Sequence, residues 1–211
     1  MDFLIQQTMT YAIPLLIVAL AGVFAERSGI VNLALEGIMI FGAFVGVLFI
    51  KIMQDTETFQ KDQAQLLMLL TMAVCAVAGA LFSLLLSFAS INLKANQTIG
   101  GTALNMLAPG LVLFATNVLV SQNVLTMSKG DSASWFMLKR STFGFSPTEE
   151  LNFFENTFLV KNYLSTYICI GLFIVLSVIM YKTRFGLRLR ACGENPQAAD
   201  SVGIGVSKMR Y

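Results

Sequence analysis

Residues 66–91, LLMLLTMAVCAVAGALFSLLLSFASI, decide the fold. They hold no charged side chain, and none occurs anywhere between Asp62 and Lys94. A helix needs ~20 residues to cross the hydrocarbon core of a bilayer. In that medium the backbone must satisfy its own hydrogen bonds, which leaves helices or closed barrels. A barrel strand alternates polar and apolar residues over ~10 positions, and this run does not. It reads as a spanning helix.

Working outward from it, the same gap in charge recurs between Asp2 and Glu26, between Lys94 and Lys129, and between Lys161 and Lys182. Five spans follow, at about residues 3–25, 30–50, 66–91, 99–120 and 163–181. The fold class expected is all-α, a polytopic membrane helical bundle forming a single transmembrane domain over residues 1–211. The whole composition agrees: 56% of the 211 residues are hydrophobic and 12% are charged, with a mean hydropathy of +0.72. Soluble domains carry roughly twice that share of charge.

Composition also excludes chemistry. The chain contains no histidine, so it has no histidine base and no histidine metal ligand. Cys75, Cys169 and Cys192 are far apart and fit no metal or redox spacing. No cofactor or metal is expected. A net charge of +2 leaves no basic face for nucleic acid. No glycine-rich phosphate loop with Lys and Ser or Thr is present, so the chain itself binds no ATP. Neither a nucleophile–base pair nor clustered carboxylates mark it as an enzyme.

Basic residues set the orientation. Segments 26–29, 92–97 and 182–211 hold eight of them, and the segments on the other side hold six. The tail 182–211 is therefore expected in the cytoplasm and the N-terminus outside. Segment 121–162 is expected to fold over the outer face. Small residues spaced by four, Gly42 with Gly46 and Gly79 with Ser83 and Ser87, suit close helix packing.

Three polar clusters stand out. In the first, Asn32 and Glu36 lie four apart, on one face if the segment is helical, with Gly29 and Gly37 on either side. A carboxylate there either faces a cavity between helices or sits at the interface and pairs with Arg27 or a lipid headgroup. In the second, Thr98, Thr102 and Asn105 form a helical stripe, followed by Pro109, which favours a kink. The stripe reads as a solute path or as interhelical hydrogen bonding. In the third, Asn195 suits an N-cap, Pro196 the first helical position and Gly203 the C-terminal stop of a helix of about two turns. So short a helix is unstable alone. Its side Ala198, Ala199 and Val202 fits a shallow cleft on a partner or packs on its own bundle. Cys192 is the single cysteine of the tail and is expected to be reachable by thiol crosslinkers.

These clusters, AERSGIVNLALEG at 25–37, ANQTIGGTALN at 95–105 and TRFGLRLRACGENPQAADSVGI at 183–204, resemble the permease subunits of ATP-binding-cassette importers. The group is that of branched-chain amino acids, ribose and nucleosides, and the wording is that of the nucleoside type. The resemblance implies a cytoplasmic coupling helix seated on a separate ATPase subunit. Gly193, Glu194, Asn195, Pro196, Ala198, Ala199, Asp200 and Gly203 match the coupling motif. Asn32, Glu36 and Gly37 match the first motif, and Asn96, Gly101 and Asn105 the second. It also implies a second permease subunit, an extracytoplasmic solute-binding protein and a bacterial-type plasma membrane. The chain then corresponds to the N-terminal part of a longer permease. The function expected is nucleoside import by alternating access, with Asn32, Glu36, Thr98, Thr102 and Asn105 on the solute path. Alternatives are import of simple sugars, or proton-coupled transport through Glu36.

Overall fold

A computed structural model describes residues 2–57, 59, 63–121, 124–127, 135–138 and 162–211. Each charge-poor run becomes one helix: α1 (Asp2–Arg27), α2 (Leu35–Asp55), α3 (Ala64–Ile91), α4 (Gln97–Val120) and α5 (Leu164–Lys182). All five are long and apolar enough to cross a membrane. Among the described residues the only β pairing is one isolated bridge, Met137 to Tyr163. The fold is an all-α bundle. The tail adds α6 (Arg184–Glu194), α7 (Pro196–Ser201) and α8 (Val206–Arg210).

α2 packs against α3 and α4, α1 pairs with α5, and α6 leans on α1. Because lipid is as apolar as leucine, side-chain fit and close backbone approach hold such helices together. The small residues serve that purpose: a Cβ on Gly46 would fall 2.5 Å from Cys75 Sγ, and one on Gly79 3.5 Å from Ile38. Phe41 of α2 stacks on Phe82 of α3 with centroids 4.6 Å apart, beside a core of Ala34, Leu86, Leu104 and Ala108. At the other end, Ile50, Leu67 and Met68 enclose Phe136. Phe136 thus covers that end of α2 and α3; most of segment 121–162 lies outside the described residues. Large side chains such as Met106 and Phe114 remain 81% and 71% exposed, as a lipid-facing surface requires.

Two boundaries differ from the sequence reading. The second span starts at Leu35 rather than Ile30, because residues 30–34 leave the helix. Asn32 and Glu36 therefore do not share a helical face. The basic stretch 184–194, read only as part of the tail, is helical. Thr183 caps it by accepting from the Gly186 amide, and Gly186, Leu189 and Cys192 supply a buried stripe. α4 runs unbroken through Pro109.

Candidate functional site

The ends of α1, α3 and α5 meet the starts of α2 and α4 at one end of the bundle, and the three polar clusters come together there. α1 stops at Gly29, whose φ of +84° is open to glycine at little cost. The Ile30 amide donates to the Ala25 carbonyl at 3.1 Å and the Gly29 amide to the Glu26 carbonyl at 2.9 Å. That pair of bonds is the Schellman arrangement, which satisfies carbonyls that a helix end leaves free.

Residues 30–34 then belong to no helix or strand, and α4 supplies hydrogen bonds that a helix of their own would have given them. The Val31 amide donates to Gln97 Oε1 at 2.8 Å. Asn105 Nδ2 donates to the Leu33 carbonyl at 2.6 Å, and Asn105 Oδ1 accepts from the Gly37 amide at 2.8 Å. Gly37 is the third residue of α2, the position an N-cap side chain normally serves. The local cap, Ala34, has no side chain for the task, so Asn105 caps α2 from a different helix. Between these two amides, a Cβ on Gly101 would fall 2.9 Å from Leu33 Cβ, and one on Gly37 2.9 Å from the Leu104 carbonyl. Both glycines are needed for α4 to approach this closely.

The working face of α4 is thus Gln97, Gly101 and Asn105, spaced by four. Gln97 was not singled out from sequence, although the i, i+4, i+8 spacing was readable. Thr98 and Thr102 sit one residue round the helix and are exposed. The Thr102 hydroxyl donates back to the Thr98 and Ile99 carbonyls of its own turn. Asn96 caps α4, its Oδ1 accepting from the Thr98 amide at 2.9 Å. Glu36, in the first turn of α2, is exposed, and among the described residues it forms no pair with Arg27. Asn32 turns inward: its Oδ1 accepts from the Ala34 amide at 3.0 Å. It also lines a cleft of about 620 Å³ between α1, α2 and α3, with Ile17, Met39, Gly42 and Ser83. Of the five residues expected on a solute path, Asn32 is the one that lines this cleft.

The tail closes the same end. The Gly193 backbone lies against the Arg27 carbonyl so closely that no Cβ would fit. Arg210 donates from Nε to the Ser28 carbonyl at 3.0 Å and from a terminal nitrogen to the Cys192 carbonyl at 3.4 Å. A guanidinium is favoured there by the carbonyl ends of α1 and α6. Tyr211 Oη donates to Asn92 Oδ1 at 2.9 Å, reaching the α3–α4 turn.

α7 projects from this junction. Asn195 Oδ1 accepts from the Ala198 amide at 3.1 Å and Pro196 opens the helix. Gly203, at φ +84°, closes it with a second Schellman pair, Ile204 to Ala199 and Gly203 to Asp200. Glu194, Asn195, Ala198, Asp200 and Gly203 are exposed, and Val202 is 74% exposed. Ala199 is buried instead, packed into the chain's own tail, so the outward apolar surface is Ala198 with Val202. Cys192 is fully buried, against the expectation that it is reachable; it fills the α6 face turned to the bundle. Between α7 and α8 lies a cleft of about 440 Å³ lined by Gln197, Asp200 and Lys208 among others. Among the described residues no group of ligands for a metal occurs.

Over its whole length the chain is 37% identical to the guanosine ABC transporter permease protein NupQ of Bacillus subtilis, covering 62% of that protein. It is 34% identical, with the same coverage, to the nucleoside ABC transporter permease protein NupC of Lactococcus lactis subsp. cremoris. A putative glucose ABC transporter permease protein of Haloferax volcanii, TsgC13, is 27% identical over 99% of the chain, which spans 56% of that protein. The chain thus spans about three fifths of the length of these curated relatives. No solved structure matches it significantly. Residues 4–211 match the family described as branched-chain amino acid transport system / permease component, and the chain is a multi-pass membrane protein belonging to that family.

Proposed function

We propose that the chain forms a transmembrane permease domain of an ATP-driven importer of nucleosides. The observation that carries this reading is the whole-length identity of 37% and 34% to permeases named for guanosine and nucleosides. α7 is the coupling helix in this reading. It is too short to stand alone, is stopped at both ends, and presents Ala198 and Val202 outward. An ATPase subunit would seat on that surface and hydrolyse the ATP, and the permease would catalyse no bond chemistry. A second permease subunit and an extracytoplasmic solute-binding protein complete the assembly. The end bearing α6–α8 lies in the cytoplasm and the N-terminus outside, a reading supported by the excess of Lys and Arg on that side.

Solute passes through the cleft that Asn32 lines, opened alternately to either side. An amide and the Ser83 hydroxyl offer donors and acceptors suited to an uncharged ribose or base. Glu36, Thr98 and Thr102 line the path only if a partner surface closes over their exposed faces. Asn105 serves by holding the break in place. The 27% identity to a permease named for glucose supports a second reading, import of a simple sugar.

The test is uptake of radiolabelled guanosine by cells expressing the complete importer. Uptake is expected to stop when the ATPase subunit is deleted and to persist under a protonophore. Excess unlabelled nucleoside is expected to compete and excess glucose is not. Uptake that survives loss of the ATPase and stops with the protonophore would refute the reading in favour of proton coupling through Glu36. Competition by glucose alone would favour the sugar reading.

A further inference from the structure

We propose that α6 is an interfacial helix whose outer face binds the phosphate groups of anionic phospholipids through Arg184 and Arg188. The inference does not depend on which solute is carried. Lys182, Arg184, Arg188 and Arg190 fall within nine residues, and no carboxylate follows until Glu194. α6 is separated from the end of the spanning helix α5 by a single residue, Thr183. Its first turn is fixed there, because the Gly186 backbone lies against the Met180 carbonyl with no room for a Cβ. α6 is therefore anchored at the level where the spanning helix α5 ends.

The two sides of α6 differ. Gly186, Leu189 and Cys192 are buried against the bundle. On the other side Arg184 and Arg188 are exposed, and Leu187 between them is 62% exposed. Phe185 is 49% exposed at the flank. Arg190 is already engaged: its Nε donates to the Gly186 carbonyl and its guanidinium lies 5.7 Å from the centroid of the Tyr181 ring. Tyrosines at that level are typical of the membrane–water interface. Arg184 and Arg188 have no hydrogen-bond or ion-pair partner among the described residues. Like charges four apart on a helix repel, so this pair gains from an anion shared between them. Free phosphate would meet the charges and leave Leu187 and Phe185 in water. A lipid headgroup meets the charges while its acyl region receives the apolar side chains.

The test uses the full chain in nanodiscs of phosphatidylcholine with a minority of phosphatidylglycerol, and native mass spectrometry of the lipids it retains. Wild type is expected to retain phosphatidylglycerol preferentially. A basic residue near a membrane surface contributes about fivefold to the affinity for anionic lipid, so Arg184→Gln with Arg188→Gln should weaken retention by about 25-fold. Both positions are exposed, and the Arg184→Lys/Arg188→Lys variant should keep most of the retention. Lys208→Gln removes a charge from the same end but not from α6, and should change nothing. Unaltered retention in the double Gln variant would overturn the proposal, as would an equal loss from Lys208→Gln. So would retained phosphatidylglycerol together with lost capture of a purified ATPase subunit, which would make this face a protein interface.

Discussion

Asn105→Ala is the most direct perturbation of the junction. It removes two hydrogen bonds, of 2.6 and 2.8 Å, and leaves the Leu33 carbonyl and the Gly37 amide without partners. Interhelical side-chain bonds in membranes average ~0.6 kcal/mol and reach ~1.7 kcal/mol. An unsatisfied buried backbone group adds ~1–3 kcal/mol, reduced here because Asn105 is only half-buried. The sum is about 2 kcal/mol, which at this chain length corresponds to a fall of about 4–8 °C in Tm. The assay heats detergent-solubilised protein and measures the monodisperse fraction by gel filtration. Gly37→Ala gives an independent check, since its Cβ would sit 3.0 Å from Asn105 Oδ1 and 2.9 Å from the Leu104 carbonyl. Both substitutions break the same contact, so the double variant should lose less than the sum of the two, by about 1 kcal/mol. A shift of under about 1 °C for Asn105→Ala, or strict additivity, would refute the trans-capping role.

Three further outcomes follow from the same junction. Gly203→Ala should cost about 1 kcal/mol from its positive φ alone, because space there is open; Gly29→Ala should cost more in the same melting assay, since its Cβ also meets the Arg210 guanidinium at 2.8 Å and Gly193 Cα at 3.2 Å. In folded protein Cys192 should resist maleimide labelling while a Val202→Cys variant labels rapidly, read by mass shift; rapid labelling of Cys192 would contradict its burial. Arg210→Met should keep the packing of the stem while losing both carbonyl contacts, cost about 1–2 kcal/mol, and speed limited proteolysis after Lys208.

The five helices were legible because charge is so costly in hydrocarbon that its absence marks each span directly. The start of α2 was not. Ile30, Val31, Leu33 and Ala34 are as apolar as the helix that follows, so hydropathy cannot mark where the backbone leaves the helix. What breaks it is the positive φ of Gly29, and what tolerates the break is Gln97 and Asn105, supplied from α4 some seventy residues along the chain. A bond between residues so far apart leaves no local pattern. Of the stripe read on α4, Asn105 makes the bonds to the break, whereas Thr102 spends its hydroxyl on its own helix, a choice that the sequence does not display. α6 was hidden by its arginines, although Thr183 and the spacing of Gly186, Leu189 and Cys192 carry both a cap and a buried face. The α7 caps were fully readable because every group that makes them lies within ten residues.

These placements bear on how a partner's movement could reach a solute. α7 joins the rest through Asn195 and the buried Ala199, and α6 next to it meets α1 backbone to backbone at Gly193 and Arg27. Side chains yield by rotating; two backbones in contact do not. Displacement of α6 must therefore carry the end of α1, which Arg210 ties to α6 through the Ser28 and Cys192 carbonyls. Asn32, at the cleft, stands three residues beyond Gly29, but the segment between them is also held by α4. Under the proposed reading, α7 acts on the α1 side of the cleft while Gln97 and Asn105 keep the α2 side fixed to α4. The cleft would open by the two sides parting, with the Gly29 turn as the place where the chain gives.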